Sequence, residues 1–220
     1  MKIAIDGPAG AGKSATAIAV AKELDFIYVD TGALYRGIGL YVIRKGGDPF
    51  SILDVIPLLA EIKIEMRHID GSQHIFLNGE DVSPFIRSES VSAAASGVSA
   101  IPAVRDFLFD MQRDIAEKNN VIMDGRDIGT AVLPDAELKI FLTAKPEVRA
   151  KRRYDQLIEK GNEAVYEDIL EDVIQRDYND SHREFRPLRP AEDSILIDNS
   201  ELSFEETAEK IISLAKERMA

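Results

Sequence analysis

Gly7-Pro8-Ala9-Gly10-Ala11-Gly12-Lys13-Ser14 fits the pattern G-x-x-x-x-G-K-[ST] at every position, with Gly10 as an additional glycine. Immediately before it, Lys2 to Asp6 is a short apolar run of strand type. Immediately after it, Ala15 to Leu24 is alanine-rich and suits a helix. Strand, glycine loop and helix in that order make an anion cradle: the glycines allow turns that aim successive N–H groups inward, and the helix contributes its positive N-terminal end. The pattern places Lys13 against the β and γ phosphates of a bound nucleoside triphosphate and the Ser14 hydroxyl on Mg²⁺. The candidate ATP-binding set is therefore Gly7, Pro8, Ala9, Gly10, Ala11, Gly12, Lys13, Ser14 and Ala15, with Ser14 the candidate metal ligand.

The alternation of strand and helix continues outward from this loop. Phe26 to Asp30 reads as a second strand and Ala33 to Arg44 as a helix, closed by the breaker Gly46-Gly47-Asp48-Pro49. Val121 to Asp124, Leu138 to Leu142 and Ile195 to Asp198 are three more short runs rich in Ile, Val or Leu. Five such strands separated by helical stretches predict an α/β fold, a five-stranded parallel sheet with helices on both faces. One segment breaks the rhythm: Lys63 to His68 and His74 to Leu77, joined through Asp70-Gly71, read as an antiparallel hairpin and so as an inserted α+β piece. It continues through the small-residue segment Pro84 to Ser99, before a regular helix from Pro102 to Lys118. Pro146 to Arg183 is helical and highly charged, with a break near Gly161-Asn162 that suits a mobile helical lid. The expected organisation is one domain over 1–220: a core of about 1–61, 100–148 and 184–220, an insert of about 62–99, and a lid of about 149–183.

The chain has 220 residues, long enough for one full core with a smaller insertion. Its 39 acidic against 27 basic side chains give a formal net charge of -12, which argues against general affinity for nucleic acid or an anionic membrane. An anionic ligand must then be held by a local basic cluster. The absence of cysteine excludes a disulfide framework, a thiolate metal site and cysteine catalysis, and fits a reducing, cytoplasmic setting. Lys13 ahead of Ala15 to Ala21 superficially imitates a processing signal, but the stretch is short and Asp6 lies inside the would-be leader. No run of 18 apolar residues is present to span a bilayer.

A phosphate loop alone names a donor and leaves switch, motor, ATPase and kinase open. The acceptor side is read from the segments just past the strands, because a parallel sheet delivers its carboxyl ends to one ligand crevice. After strand two comes Asp30-Thr31-Gly32-Ala33-Leu34-Tyr35-Arg36, where Thr31 and Arg36 can reach a second anion. After strand three comes Asp124-Gly125-Arg126-Asp127, an arginine suited to bridging phosphates beside a carboxylate suited to accepting from a ribose or an exocyclic amine. Arg176, Asp180 and Arg183 are spaced by four and three, a fork on one helical face; Arg149 and Arg153, four apart, can cover ATP phosphates from the lid. A surface salt-bridge reading competes for each of these groups. His68, His74 and His182 make no metal-ligand pattern.

Taken together, GPAGAGKS at 7–14, DTGALYR at 30–36, LNGEDVS at 77–83, IPAVRD at 101–106, DGRDIGT at 124–130 and RDYNDSHR at 176–183 resemble the nucleoside monophosphate kinases, and among them the bacterial-type cytidylate kinase family, over nearly the whole chain. The resemblance implies a P-loop NTPase core and ATP-dependent, Mg²⁺-assisted phosphorylation of CMP and dCMP in pyrimidine metabolism by a cytoplasmic monomer. By the same resemblance, Ser96, Arg105 and Asp127 surround the cytosine, and Arg36, Arg126 and Arg183 meet the acceptor phosphate. Thr31, Arg176 and Asp180 lie along sugar and phosphate, and Tyr35 belongs to the same CMP-binding set. The catalytic group is Lys13, Arg126, Asp127, Arg176 and Arg183. Position 31 is threonine where family members often carry serine; the hydroxyl survives. The runner-up is another small-acceptor kinase on the same core, acting on UMP, another mononucleotide or shikimate. A nucleotide-regulated binding module is the alternative of another class.

Overall fold

The structure is a computed structural model and describes residues 1–69 and 71–219. Its elements run β1 (Lys2–Asp6), α1 (Lys13–Leu24), β2 (Ile27–Asp30), α2 (Thr31–Arg44), α3 (Ile52–Leu59), β3 (Ile64–Ile69), β4 (Ser72–Leu77), β5 (Glu80–Asp81), α4 (Glu89–Ser99) and α5 (Pro102–Lys118). Beyond these come β6 (Val121–Gly125), a π-helical turn (Ile128–Val132), β7 (Leu138–Thr143), α6 (Pro146–Glu159), α7 (Tyr166–His182), β8 (Ile195–Asp198) and α8 (Phe204–Met219).

Five strands form one sheet in the order β2-β6-β1-β7-β8. β1 pairs in parallel with β6 and with β7, and β7 with β8. Every residue of β6 is buried and β1 is buried from Ile3 onward. Side chains along a strand point alternately to opposite faces, so both faces of the sheet are covered there, as expected of a parallel sheet. β8 is an edge strand and alternates instead, with Leu196 63% exposed and Ile197 buried. The chain leaves β1 toward β2 on one side and leaves β7 toward β8 on the other. The loop after β1 therefore sits where strand order reverses, the position at which open α/β sheets bind ligands.

The chain forms two compact units, Met1–Tyr28 with Asn119–Ala220, and Val29–Lys118. In the first, Ile3, Ile5, Ile122, Leu138, Ile140 and Leu142 from the sheet pack with Ala17, Val20 and Ala21 of α1 and with Ala208, Ile211 and Ala215 of α8. The alanines let both helices approach closely. The second has its own core, built around Leu34, Ile38 and Val42 of α2, Val91 and Val98 of α4, Val104 and Leu108 of α5, and Ile64, Ile75 and Leu77 of the hairpin. The insert expected over about 62–99 lies within this second unit, which also includes Val29–Glu61 and Ala100–Lys118.

β3 and β4 pair antiparallel from Ile64↔Leu77 to Ile69↔Ser72. Of the turn expected at Asp70-Gly71, Asp70 lies outside the described residues; Gly71 has φ +76°. A second tight turn adds β5. Asn78 and Gly79 have φ of +50° and +87° and place Leu77 opposite Glu80, the geometry that Asn-Gly favours in a two-residue hairpin.

Within the second unit, α2 crosses α4 closely because residue 39 is glycine: a Cβ there would lie 2.9 Å from Ala94 Cβ and 3.1 Å from its carbonyl carbon. Gly39→Val should therefore lower the unfolding free energy by about 1–3 kcal/mol through overpacking. Urea titration of variant and wild type checks this, and unchanged stability would contradict the close crossing.

Candidate functional site

The phosphate loop follows β1 directly, and its glycines are required by geometry. Gly7 has φ +149°, and a Cβ there would lie 1.9 Å from the Leu142 carbonyl oxygen. Gly12 caps α1 with φ +86°. Lys13, 6% exposed, turns back to donate from Nζ to the Pro8 carbonyl at 2.7 Å. Burial, with the Arg126 charge, pushes its ammonium down to about 7, against the pull of Asp124, Asp180 and Asp6. The Ser14 hydroxyl donates to Asp124 Oδ2 at 2.8 Å, and Tyr28 donates to Asp124 Oδ1 at 2.9 Å. A hydroxyl and a carboxylate side by side are hard oxygen donors of the kind that Mg²⁺ takes in ones and twos while keeping water and substrate phosphate in its shell. The residues present thus fit the cation expected at Ser14, with Asp124 as its neighbour. Asp124 heads the DGRDIGT run, and the sequence alone assigns it no role.

Past Gly125, the last residue of β6, Arg126 and Asp127 lead into the π-helical turn, where the Asp127 carbonyl accepts from Ala131 and Val132. Asp6, at the end of β1, holds this turn: its two carboxylate oxygens accept from the Ile128 and Gly129 amides at 2.8 and 2.7 Å. Arg126 donates from Nε to Asp180 Oδ2 at 2.8 Å. Burial alone would lower the guanidinium value, but Asp180, Asp124 and Asp6 outweigh it and hold it above its usual value. Asp180 is correspondingly held low: burial pushes up, while Arg126, Arg176 and Arg183 pull down more strongly. Arg183 lies 3.9 Å from Asp127 Oδ1 and donates from Nε to the Arg186 carbonyl at 2.6 Å. The structure corrects one expectation about this fork. Arg176 and Asp180 are on α7, but Arg183 is the residue after its last turn, in extended conformation at φ -63° and ψ 143°, so the three do not share a helical face. The chain turns there because the Leu188 amide folds back onto the Asp180 carbonyl at 2.8 Å. Arg183 still belongs to the cluster, through Asp127 and the field on Asp180.

Arg149 and Arg153 are both on α6. Arg149 is buried and committed: Nε donates to the Ala144 carbonyl, Nη1 to the Ala9 carbonyl at 3.0 Å and to Asp177, and Nη2 pairs with Asp177 of α7. It thus meets the phosphate loop at a loop carbonyl. Arg153 is half-buried on the same helix.

In the second unit, Asp30 caps α2, accepting from the Ala33 amide at 2.9 Å, while its other oxygen pairs with Arg36 Nη2 at 2.6 Å. Gly32 makes room for this arrangement, since a Cβ there would lie 3.1 Å from both Arg36 Nη1 and Asp30 Oδ1. Thr31, the first residue of α2, is buried. Gln73 of the hairpin accepts from the Asp30 amide at 2.7 Å and donates to the Asp30 carbonyl at 3.1 Å, imitating a strand partner for that one residue. Arg105, 2% exposed on α5, donates from Nε to the Ser99 carbonyl at 2.6 Å and lies 5.4 Å from the ring centre of Tyr35. Ser96 is half-buried on α4, its carbonyl accepting from the Ser99 hydroxyl. Each unit therefore presents its own buried, oriented arginines. Asp6 and Gln73 are the positioning groups that the sequence did not expose, since an aspartate ending a strand and a glutamine in a hairpin carry no local mark of their partners.

Burial raises the Asp6 carboxyl from 3.8 to about 6, against the Gly129 and Ile128 amides that lower it. The folded chain thus holds this proton more tightly than the unfolded chain, so the contribution to stability is present in acid and lost as pH rises from about 4 to about 6. Asp6→Asn removes that dependence. Relative to wild type, the variant should gain stability between pH 4 and pH 6.5 and then level off, read by urea unfolding at stepped pH; a difference independent of pH would contradict the assignment.

A family model described as cytidylate kinase matches residues 3–217. The cytidylate kinase of Caldicellulosiruptor bescii is 50% identical over 214 residues, 97% of this chain and 95% of that protein. That of Caldicellulosiruptor saccharolyticus is 51% identical over 214 residues, with the same coverage of both. A crystal structure of an uncharacterized protein from Eubacterium ventriosum matches with a TM-score of 0.56 at 15% identity, covering 99% of this chain and 98% of that one, a likeness of fold alone.

Proposed function

The chain belongs to the cytidylate kinase family, and we propose that it transfers the γ-phosphoryl group of ATP to CMP and dCMP, giving ADP and CDP or dCDP in pyrimidine nucleotide metabolism. The observation that carries this reading is the arginine set bound to carboxylates beside the phosphate loop. Arg126 on Asp180, with Arg176 and Arg183 around the same carboxylate, supplies more fixed positive charge than gripping one nucleotide requires. Transfer between two phosphates asks for such charge, in-line positioning and exclusion of water, with little covalent help.

In this reading, Gly7 to Ala15 with Arg149 and Arg153 hold ATP, Arg149 acting through the loop backbone. Lys13 neutralises charge on the transferring group. Ser14, beside Asp124, would hold Mg²⁺, which would supply positive charge against the donor phosphates. Arg36, Arg126 and Arg183 meet the acceptor phosphate, and Thr31, Arg176 and Asp180 lie along sugar and phosphate. Ser96, Arg105 and Asp127 read the base, with Arg105 braced over Tyr35. Cytosine presents O2 and N3 as acceptors and N4 as a donor, which suits an arginine facing one edge and a carboxylate or hydroxyl facing the other. Uracil reverses N3 and position four, so a donor would face a donor. The acceptor phosphate is already ionised, and no strong general base is required. The segment of about 149–183 serves as the lid and about 62–99 as the acceptor-binding insert of one kinase domain. The enzyme works as a cytoplasmic monomer with small-molecule partners, independent of nucleic acid and membrane. Among the described residues no helix is long and apolar enough to cross a membrane.

With Mg-ATP and each monophosphate in turn, ADP should form with CMP and dCMP. Equal turnover with every acceptor, or slow hydrolysis alone, would contradict the reading. Arg105→Ala should raise KM for CMP by about 10- to 100-fold, the loss of charge-assisted hydrogen bonds, and leave KM for ATP nearly unchanged. Comparable losses for both nucleotides would remove Arg105 from the base site.

A further inference from the structure

A loop that turns its amides toward phosphate must turn its carbonyls the other way, and buried carbonyls need donors. Among the described residues, three loop carbonyls have side-chain donors: Pro8 receives Lys13 Nζ from within the loop at 2.7 Å, and two others receive donors from outside it. Ala9 receives Arg149 of α6 directly. Ala11, fully buried, receives Asn199 Nδ2 at 3.0 Å. Asn199 is the residue after β8 and is itself only 4% exposed. Its amide donates to the Thr143 carbonyl at 2.8 Å, its Oδ1 accepts from Arg152 Nη1 at 3.2 Å, and its carbonyl accepts from Arg152 Nη2 at 2.9 Å. These partners fix the amide orientation: the nitrogen must face a carbonyl and the oxygen a guanidinium. Arg152 stands three residues beyond Arg149 on α6, so one helix supports the loop at two carbonyls, once directly and once through Asn199.

We propose that Asn199, braced by Arg152, is a positioning residue that keeps the Ala11 carbonyl turned outward and so keeps the loop amides turned toward the phosphates of ATP. The consequence is selective. Losing the Nδ2 donor leaves the Ala11 carbonyl without that partner and lets the peptide rotate, which weakens the donor nucleotide and leaves the acceptor untouched. It also ties α6, the start of the lid, to the loop whose ligand the lid covers.

The inference rests on the proposed phosphoryl transfer, and its test separates the two. Affinity for the non-reacting β,γ-imido analogue of ATP, with Mg²⁺, is measured by calorimetry in wild type, Asn199→Ala, Asn199→Asp, Arg152→Ala and the double alanine variant; KM for CMP is measured alongside. Asn199→Ala should weaken the analogue about tenfold, the loss of one buried hydrogen bond. Asn199→Asp keeps a partner for Arg152 but sets an acceptor against the Ala11 carbonyl, so it should weaken the analogue at least as much. Arg152→Ala should weaken it by a smaller factor, and the double variant should be no worse than Asn199→Ala. KM for CMP should stay within about twofold throughout, since the hydrogen bond removed is on the donor side. Analogue affinity within twofold of wild type in both Asn199 variants, or equal losses for both nucleotides, would overturn the proposal. If the Asn199 variants do not fold, Arg152→Ala decides, and unchanged analogue affinity there overturns it. A wild type that binds the analogue but never phosphorylates CMP would sink the functional reading and leave this one standing.

Discussion

The close approach of the phosphate loop to the sheet is the constraint on which the rest depends. Gly7 lies so near the Leu142 carbonyl that no side chain fits, and the chain leaves β1 in a backbone conformation only glycine adopts readily. From that point the loop amides have one direction and the carbonyls the other. The residues around it hold one side or face the other: Asn199, Arg149 and Lys13 take carbonyls, while Lys13 and Ser14 are the residues proposed to meet phosphate and its cation. Strand order supplies the location, since the loop lies where connections from β1 and β7 diverge.

A chain of net charge -12 holds anionic nucleotides by using its acidic side chains to orient its basic ones. Acidic side chains at the strand ends and on α7 are the means by which cations, hydroxyls and amides are aimed. Asp124 holds Ser14 and Tyr28, Asp180 holds Arg126, Asp177 holds Arg149, Asp30 holds Arg36, and Asp6 holds two amides of the π-helical turn. Buried arginines left without a partner would be costly, and removing one member of such a pair typically costs about 3–5 kcal/mol. The pairs therefore preserve orientation and charge until an anion arrives. Their net effect on stability is small by comparison with what they fix.

Much of the fold was legible because its signals are local. The bounds of β1, β8 and α5 agree with those read from apolar runs and breakers, and the hairpin was visible as an interruption of the strand–helix rhythm. Some local signals went unread: Asn78-Gly79 specifies the turn into β5, and Ser203 with Glu206 forms a reciprocal cap at the start of α8. Other features have no local signal. The π-helical turn depends on Asp6, over a hundred residues earlier in the chain; the end of α7 before Arg183 depends on Leu188; the role of Asn199 depends on Ala11 and Arg152. The site followed the same division. The phosphate loop is contiguous and is legible outright, and the arginine segments with Asp127 and Asp180 are legible too, whereas the pairings of Arg126 with Asp180 and of Arg149 with Asp177 come only from tertiary structure.

The central claim is that the loop hands a phosphoryl group to a nucleotide and keeps it from water. Following the fate of the γ-phosphorus tests this most directly. With ATP labelled at the γ-phosphorus, Mg²⁺ and CMP, the label should appear in the β position of CDP, with inorganic phosphate staying at the level of the enzyme-free control. Label accumulating as inorganic phosphate, with CMP recovered unchanged, would contradict the account.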